Sequence, residues 1–428
     1  MEQLLALLVG LCGMFIGTSY QRSLEPTNRR WVLLIAGSKG IDNYRHQADV
    51  CHSYHLMIAQ GIQADRIVVM MYDDVANDKQ NPWPGKLFNK PNGTDVYAGV
   101  KIDYRGKDVS PPNSLNVLKG NKTAMKGIGT GRVIESDDSN IIFVYFSGHG
   151  VRGGLCFPSD NCASVLYADE LHRTLNEMSE AQNYYSIIMY IEACFSGALF
   201  ENLLKTNRSV FAMTAAARDE YSYPVYCIDA PHLPGGYIAL GDEFSTRWME
   251  RMDQATYEGV GAFEFFDQYQ ELRTAVRLSH VEMYGDFSIG TSALSDNNFV
   301  IRRHSPEKNT LQPSQPNTTT IPCNFEEIQD EETKVYDGLL EALSTKATFD
   351  YPHYRATVKR GNLPLNLNMF SCYKNLIANF RHDCKVDEHE YLLDFYDELA
   401  NICVLELNTS MLLREMPALC SFHLALLN

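Results

Sequence analysis

Five short runs of β-branched and aromatic residues constrain the fold of this chain more than any other feature of its sequence. The runs are almost continuously apolar rather than alternating, which indicates strands whose two faces are both covered by helices. Helix-compatible segments such as Gln47–Gln60 and Tyr167–Met178 lie between them. The repeated βα pattern predicts an α/β fold with an open, mostly parallel sheet. The five runs are Trp31–Ala36, Ile67–Tyr72, Asn140–Phe146, Ser186–Ile191 and Ser209–Thr214.

Polar motifs follow the third and fourth of these runs, at the point where each predicted strand ends. The third run continues into Ser-Gly-His-Gly at 147–150, and the fourth into Glu-Ala-Cys at 192–194. Because the carboxyl ends of parallel strands meet at one edge of a sheet, we expect His149 and Cys194 to lie close together. A histidine beside a thiol can generate the thiolate that acts as a nucleophile. The two motifs together therefore predict a cysteine hydrolase.

Each motif taken alone has a plainer interpretation. A cysteine after an apolar run is most often a buried core residue, and a His-Gly pair is most often part of a turn. The joint position of the two motifs at successive strand ends favours a catalytic role. In that role Gly150 lets the backbone approach a substrate carbonyl, and its N–H would form an oxyanion hole with that of Cys194.

The N-terminal residues and the glycosylation signals predict a protein of the secretory pathway. Residues 1–19 resemble a secretory signal peptide in length, because the apolar stretch from Leu4 to Ile16 is followed by small and polar residues. No later stretch reaches the roughly 18 to 20 apolar residues of a membrane span. The formal net charge of −16 argues against nucleic acid or an anionic membrane as the main partner. Asn-X-Ser/Thr sequons occur at Asn92, Asn121, Asn207, Asn317 and Asn408.

The last part of the chain has a composition of its own. A stretch rich in Pro, Ser, Asn and Thr runs from Arg302 to about Thr320 and predicts an exposed linker. Beyond it, Glu326–Ser344 and Glu388–Leu405 have the pattern of helices. We therefore predict a signal peptide at 1–19, a catalytic domain at 20–304, a linker and activation segment at 305–330, and a helical module at 331–428.

Cysteine spacing predicts that disulfides hold this C-terminal module together, without choosing among the three possible pairings. Cys156 and Cys162 either close a short loop or remain free. The four cysteines of the module are Cys372, Cys384, Cys403 and Cys420.

The chain resembles the legumain family of asparaginyl endopeptidases, cysteine proteases with a caspase-like fold. The resemblance spans roughly residues 30–300, and the C-terminal part matches more loosely, through its four cysteines and FRHDC at 380–384. It implies a zymogen whose helical C-terminal prodomain covers the active site as an intramolecular inhibitor and is removed at acidic pH. The carrying segments are AGS at 36–38, NYRHQAD at 43–49, VVMMYDD at 68–74, PNGTDVY at 91–97, DYRGKDV at 103–109, HG at 149–150, EAC at 192–194 and LGDEFSTRWME at 240–250.

The resemblance also implies roles for individual residues. Cys194 is implied as the nucleophile, His149 as the base, and Asn43 as the residue that orients the histidine. Cleavage in the linker is the expected activation step, after Asn309, Asn317, Asn324 or Asp330, and Asn324 aligns best with the family's processing point. No metal or organic cofactor is expected. The residues implied to form the specificity pocket are Arg45, His46, Glu192, Ser222 and Asp242.

Such a pocket suits an asparagine side chain on chemical grounds. An amide offers one carbonyl acceptor and two N–H donors. Arg45 could donate to the carbonyl, while Glu192 and Asp242 accept from the NH₂ group, so other side chains would leave buried polar groups unpaired. The two carboxylates would repel aspartate unless it is protonated, which predicts cleavage after Asp only at acidic pH. An ordinary surface ion pair is the alternative role for each charged residue.

Two positions depart from the family pattern. Gly148 and Phe195 stand where many family members have acidic residues, next to the histidine and the cysteine. A pair of acidic residues at these positions would repel each other and cause instability at neutral pH. We expect the absence of that pair to reduce this instability and to alter any peptide-ligase activity.

The expected partners are proteins and peptides with Asn at the cleavage site, the protein's own prodomain, and cystatin-type inhibitors. The expected location is the lysosome, another acidic compartment, or the outside of the cell. Two other functions remain open from the sequence. One is a peptide ligase or transamidase of the same fold, and the other is a catalytically impaired relative that acts as a binding module.

Overall fold

The computed structural model describes residues 29–258, 265–291, 319–323, 363–386, 393, 395–406 and 409–426. Within these residues a six-stranded sheet forms the centre of the fold, with the strand order β11-β8-β7-β3-β1-β2. All neighbouring strands of this sheet are parallel except β11, which is antiparallel to β8. These strands are β1 (Arg30–Ala36), β2 (Ile67–Met70), β3 (Ile141–Ser147), β7 (Ser186–Glu192), β8 (Val210–Thr214) and β11 (Glu282–Gly285). The predicted mostly parallel α/β sheet is thereby confirmed.

Both faces of this sheet are buried, as the continuous apolar runs predict. Along β1, Leu33 and Ile35 point into one hydrophobic core, while Val32 and Leu34 point into the other. Alternating side chains of a strand face opposite sides, so a strand between two helical layers must be apolar at every position. The helices are α1 (Tyr44–Ala59), α2 (Pro111–Leu118), α3 (Ala168–Glu180), α4 (Glu243–Glu258), α5 (Phe265–Ala275), α6 (Phe287–Thr291), α7 (Phe370–Cys384), α8 (Tyr396–Val404) and α9 (Thr409–Leu426).

Two small antiparallel sheets lie beside the central one, and sequence analysis does not predict either. The first contains β4 (Gly150–Val151), β5 (Gly154–Phe157) and β6 (Ser164–Tyr167), and it begins directly after His149. The second pairs β9 (Pro224–Asp229) with β10 (Tyr237–Asp242). Their strands are short and lack the long apolar runs of the central sheet.

Most predicted elements differ from the observed ones only at their ends. The first predicted helix begins three residues earlier than expected, at Tyr44. Strand β2 ends at Met70 rather than Tyr72, because the N–H of Met71 turns to the carbonyl of Tyr104 instead of continuing the ladder with β1. The helix predicted at 326–344 lies outside the described residues. Of the one predicted at 388–405, the described part is helical over Tyr396–Val404.

Disulfides cross-link the three helices of the C-terminal module. Cys372 of α7 pairs with Cys403 of α8, and Cys384 of α7 pairs with Cys420 of α9. These bonds settle the pairing that the spacing leaves open. Cys156 and Cys162 also pair, at the turn between β5 and β6. A fourth bond, Cys227 to Cys323, attaches the segment 319–323 to β9. None of the helices described here is long and apolar enough to cross a membrane.

Candidate active site

His149 and Cys194 lie at the same level of adjacent strands. In the parallel pair β3 and β7, Ser147 is opposite Glu192, and each reactive residue follows two positions later. The N–H of Gly148 donates to the carbonyl of Glu192 at 3.0 Å, so the backbones that follow the two strands are still hydrogen-bonded beyond the end of the ladder. The register of these strands therefore places the two motifs at the same edge of the sheet, as expected.

Asn43 makes a hydrogen bond to the imidazole of His149. The side-chain NH₂ of Asn43 donates to the carbonyl of Lys39 at 2.9 Å, so its Oδ1 must face the ring. Oδ1 lies 2.6 Å from Nε2 of His149, which assigns the ring proton to Nε2 and leaves Nδ1 as the basic nitrogen. Burial, with the nearby charge of Arg45, lowers the pKa of His149 to about 3. The ring is therefore neutral and able to accept a proton.

The thiol of Cys194 rests against Ser222 rather than against the imidazole. Its Sγ lies 3.7 Å from the carbonyl oxygen and 3.9 Å from the hydroxyl of Ser222. Burial raises the pKa of the thiol to about 11, although these contacts oppose the shift. Cys194 and the buried Cys51 are the free cysteines of the described residues. A protonated thiol near a neutral base can become a nucleophile only when the proton moves to the histidine.

Gly150 lies directly against the segment that carries the thiol. A Cβ atom at this position would be 2.2 Å from the carbonyl oxygen of Cys194 and 3.1 Å from the Cβ of Ala193. No larger residue fits there without a backbone shift, so the start of β4 contacts the Cys194 segment backbone to backbone.

The predicted pocket residues converge next to this pair, from three different elements. Arg45 and His46 are on α1, Glu192 ends β7, and Asp242 ends β10. Nε of Arg45 donates to Oδ1 of Asp242 at 2.8 Å, and Nε2 of His46 lies 3.4 Å from Oδ2 of the same carboxylate. The His46 and His149 rings are perpendicular, with centroids 4.9 Å apart. Ser222 contacts the thiol, and its side chain also lies close enough to Glu192 to lower the pKa of that carboxyl.

Ser245 makes the close hydrogen bonds to the Glu192 carboxyl. Its Oε2 accepts from the N–H of Ser245 at 2.8 Å and from the hydroxyl of Ser245 at 2.9 Å. Its Oε1 is buried without a hydrogen-bond partner among the described residues. Burial, together with the charge of Asp242, raises the pKa of Glu192 well above its ordinary value. The unpaired oxygen is an acceptor or donor that a bound polar group could satisfy.

A third buried carboxyl group, that of Asp49, lies beside Glu192 and Asp242, and sequence analysis did not single it out. Burial, with the charges of both neighbours, raises the pKa of Asp49 well above its ordinary value. Asp49 follows Arg45 by four residues, so one turn of α1 carries both. That spacing within NYRHQAD was the signal available in the sequence. No cluster of metal ligands occurs among the residues that the structure describes.

Other predicted sites lie on the surface or beyond the described residues. Asn92 and Asn207 are exposed, and Asn121 is half-buried, with its side-chain NH₂ donating to Oδ1 of Asn116. Asn317, Asn324 and Asn408 lie outside the described residues.

Comparison with known proteins places this site in a family. The sequence profile described as Peptidase C13 family matches residues 30–301, well over half of the chain. The chain belongs to the peptidase C13 family. The predicted relationship to the legumains is thereby confirmed.

Several C13 relatives match this chain over most of its length. Legumain of Rattus norvegicus is 41% identical over 288 residues, which cover 67% of this chain and 62% of that protein. Hemoglobinase of Schistosoma mansoni is 41% identical over 283 residues, or 66% of this chain and 62% of its own length. The vacuolar-processing enzyme of Citrus sinensis is 33% identical over 420 residues, covering 89% of this chain and 82% of its own. The match thus spans less than two thirds of the rat and schistosome proteins.

One solved structure, caspase-1 of Spodoptera frugiperda, resembles the chain weakly. The two share 8% identity over 60% of this chain and 86% of that one, with a TM-score of 0.34. A score this low is not evidence for the fold. The fold is assigned from the topology of the sheet described above.

Proposed function

We propose that the protein is a cysteine endopeptidase that cleaves peptide bonds after Asn, and after Asp at acidic pH. The observation that carries this proposal is the hydrogen bond from His149 to Asn43, made one residue before Gly150 packs on the backbone of the free Cys194. The family membership supports the same chemistry.

The chemistry follows from the protonation states of the resting pair. Nδ1 of His149 takes the proton of Cys194, and the thiolate attacks the carbonyl carbon of the scissile bond. The N–H groups of Gly150 and Cys194 would stabilise the oxyanion that forms. The imidazolium then gives its proton to the leaving amine, and a thioester remains. Water, deprotonated by His149, hydrolyses the thioester and returns the thiol.

The buried polar groups beside the thiol support selectivity for an amide. The guanidinium of Arg45 offers donors to a carbonyl oxygen, and the unpaired Oε1 of Glu192 offers an acceptor to an NH₂ group. An aspartate carboxylate would face Glu192 and Asp242, whereas its protonated form resembles the amide. Cleavage after Asp should therefore require acidic pH.

The C-terminal module is the proposed intramolecular inhibitor. Arg152, three residues after His149, is buried and donates through Nη1 to Oδ1 of Asn401 at 2.6 Å and to the carbonyl of Asp397 at 3.3 Å. The hydroxyl of Tyr373 donates to the carbonyl of Arg152 at 3.0 Å. These contacts join α7 and α8 to the small sheet that begins at the catalytic histidine.

Removal of the module at acidic pH would have to break ion pairs as well. Lys374 of α7 lies 2.8 Å from Asp169 and 3.4 Å from Glu170, at the start of α3. Cleavage after Asn324 would then release the module.

The proposed setting of this zymogen is the secretory pathway and an acidic compartment such as the lysosome. There Asn92 and Asn207, which are exposed, are available for glycosylation. Cystatin-type proteins would be inhibitors of the released enzyme.

Cleavage of fluorogenic peptides ending in Asn or Gln tests the proposal, after incubation of the full chain at about pH 4–5. Activity on the Asn peptide far above the Gln peptide, absent in Cys194→Ser, is the expected result. Absence of cleavage in the wild type after loss of the C-terminal module would contradict it. Joining of the acyl group to an added peptide amine, without hydrolysis, would indicate the transamidase alternative.

A further inference from the structure

Asp49 makes hydrogen bonds to three separate elements beneath the proposed specificity pocket. Its side chain is fully buried on α1. Oδ2 accepts from the hydroxyl of Ser147 at 3.0 Å, at the end of β3, and from the N–H of Asp242 at 3.4 Å, at the end of β10. Oδ1 accepts from the side-chain NH₂ of Asn89 at 2.7 Å. Asp49 thereby joins the helix that carries Arg45 to the strand ends that carry His149 and Asp242.

Asn89 adds to this connection by contacting both α1 and β10. Its NH₂ group also donates to the carbonyl of Leu240 at 2.9 Å, in β10, and its Oδ1 lies 2.7 Å from Nδ1 of His52. All of its polar atoms therefore have partners, and the orientation of the amide is determined. The residue is only 3% exposed.

Gly241, directly before Asp242, shows how closely β10 lies on this pair. A Cβ atom at Gly241 would be 2.8 Å from Nδ2 of Asn89 and 3.1 Å from Oδ1 of Asp49. The end of β10 therefore rests on these two side chains without an intervening group. A shift of either one changes where the Asp242 carboxylate stands relative to Arg45.

We propose that Asp49 and Asn89 are positioning residues that hold β10 so that Asp242 and Arg45 form the specificity pocket. This inference rests on the function proposed above. Neither side chain needs to contact the substrate, because both act on residues 240–242. Asn89 acts through the carbonyl of Leu240, and Asp49 through the N–H and the carboxyl group of Asp242. Their loss should therefore affect the binding of the Asn side chain more than the reaction at the thiol.

The contacts of Asp49 support a geometric role. The carboxyl group acts through its hydrogen bonds to Ser147, Asn89 and the N–H of Asp242. In Asp49→Asn the amide oxygen can still accept from Asn89, and its NH₂ can donate to Ser147. The contacts of Asp49 with the N–H and the carboxyl group of Asp242 are disturbed, so this variant weakens the direct link of Asp49 to β10 and keeps that of Asn89.

The test compares steady-state kinetics of the acid-activated full chain with two variants and a control. For Asn89→Ala we expect a KM for the Asn peptide about tenfold or more higher, with kcat changed less than about threefold. Asp49→Asn should raise KM in the same direction by a smaller factor. The rate at which a small neutral disulfide reagent modifies Cys194 should be unchanged in both, since that reaction does not use the pocket.

Asn81→Ala is the matched control. Asn81 is also 3% exposed, and its NH₂ group donates to the carbonyls of Val75, Ala76 and Lys86, away from the pocket residues. We expect this variant to lower Tm as Asn89→Ala does while leaving KM unchanged.

Equal changes of KM in Asn81→Ala and Asn89→Ala would overturn the inference, because lost stability alone would then explain them. If Asn89→Ala does not fold, an unchanged KM in Asp49→Asn overturns it. A wild type that does not cleave the Asn peptide contradicts the proposed function, and with it the positioning role. Wild-type cleavage with unchanged KM in the variants contradicts the positioning role alone.

Discussion

The resting thiol of Cys194 should react slowly in the intact chain, and its pH profile should reveal why. Its pKa of about 11 compares with about 8.5 for a free cysteine. The difference of about 2.5 units makes the thiolate about 300-fold scarcer at pH 7. A thiolate of higher pKa is more nucleophilic by about tenfold over this interval, given a Brønsted coefficient of about 0.4–0.5. The net expectation is a reaction with a small neutral disulfide about 30-fold slower than that of free cysteine.

The reagent is a small neutral disulfide of an aromatic thiol, and the assay measures the release of that thiol between about pH 6 and pH 9. Cys194→Ser serves as the blank. Because the pKa lies above this range, the rate should rise about tenfold for each pH unit. Neutral His149, with a pKa of about 3, contributes no imidazolium to stabilise the thiolate there. A rate that is constant between about pH 6 and 8 would refute the reasoning, since it would show a preformed thiolate–imidazolium pair.

Three further predictions concern single residues. Asn43→Ala should lower kcat about 100-fold with little change in KM, because the His149 ring loses its orienting acceptor, and peptide kinetics would show it. Arg152→Ala should remove buried charged hydrogen bonds of about 1.5–3 kcal/mol each, so that activation in a pH series begins at a less acidic pH. Gly148→Ala should lower Tm, measured by thermal unfolding, because a Cβ would lie 2.9 Å from the Phe146 ring. An unchanged kcat, activation pH or Tm, respectively, would contradict each.

The Gly148 prediction also bears on the departures from the family pattern. An acidic side chain cannot be introduced at this position without moving the Phe146 ring or the backbone of Gly37, each 2.9 Å from the Cβ position. Phe195, the other departure, is buried against the ring of Tyr221, with centroids 4.9 Å apart. The expected effect of these two residues on pH sensitivity stays a prediction. A double acidic variant would have to be compared at matched stability.

Local patterns predicted the elements on which the site depends. Each central strand is a continuous apolar run, because both faces of the sheet are covered, and that property can be seen in the residues themselves. The ends of β1, β3, β7 and β8 were placed to within a residue or two. The reactive residues followed from them, since each comes two positions after a strand ends.

Short strands and long-range contacts could not be predicted in this way. Strands β4–β6 and β9–β10 have no long apolar run, and their pairing depends on the turns between them. The cysteine pairing of the C-terminal module depends on how α7, α8 and α9 pack, so spacing alone allowed three solutions.

The sequence by itself determined the parallel α/β sheet, the position of His149 and Cys194 at adjacent strand ends, and the family. These features follow from neighbouring residues and from the geometry of consecutive strands. Only the tertiary structure decided the proton position on His149, the meeting of three buried carboxyl groups, and the contact of Arg152 with the C-terminal helices. Burial and hydrogen-bond partners set these properties, and the partners are brought together by folding from segments far apart in the chain.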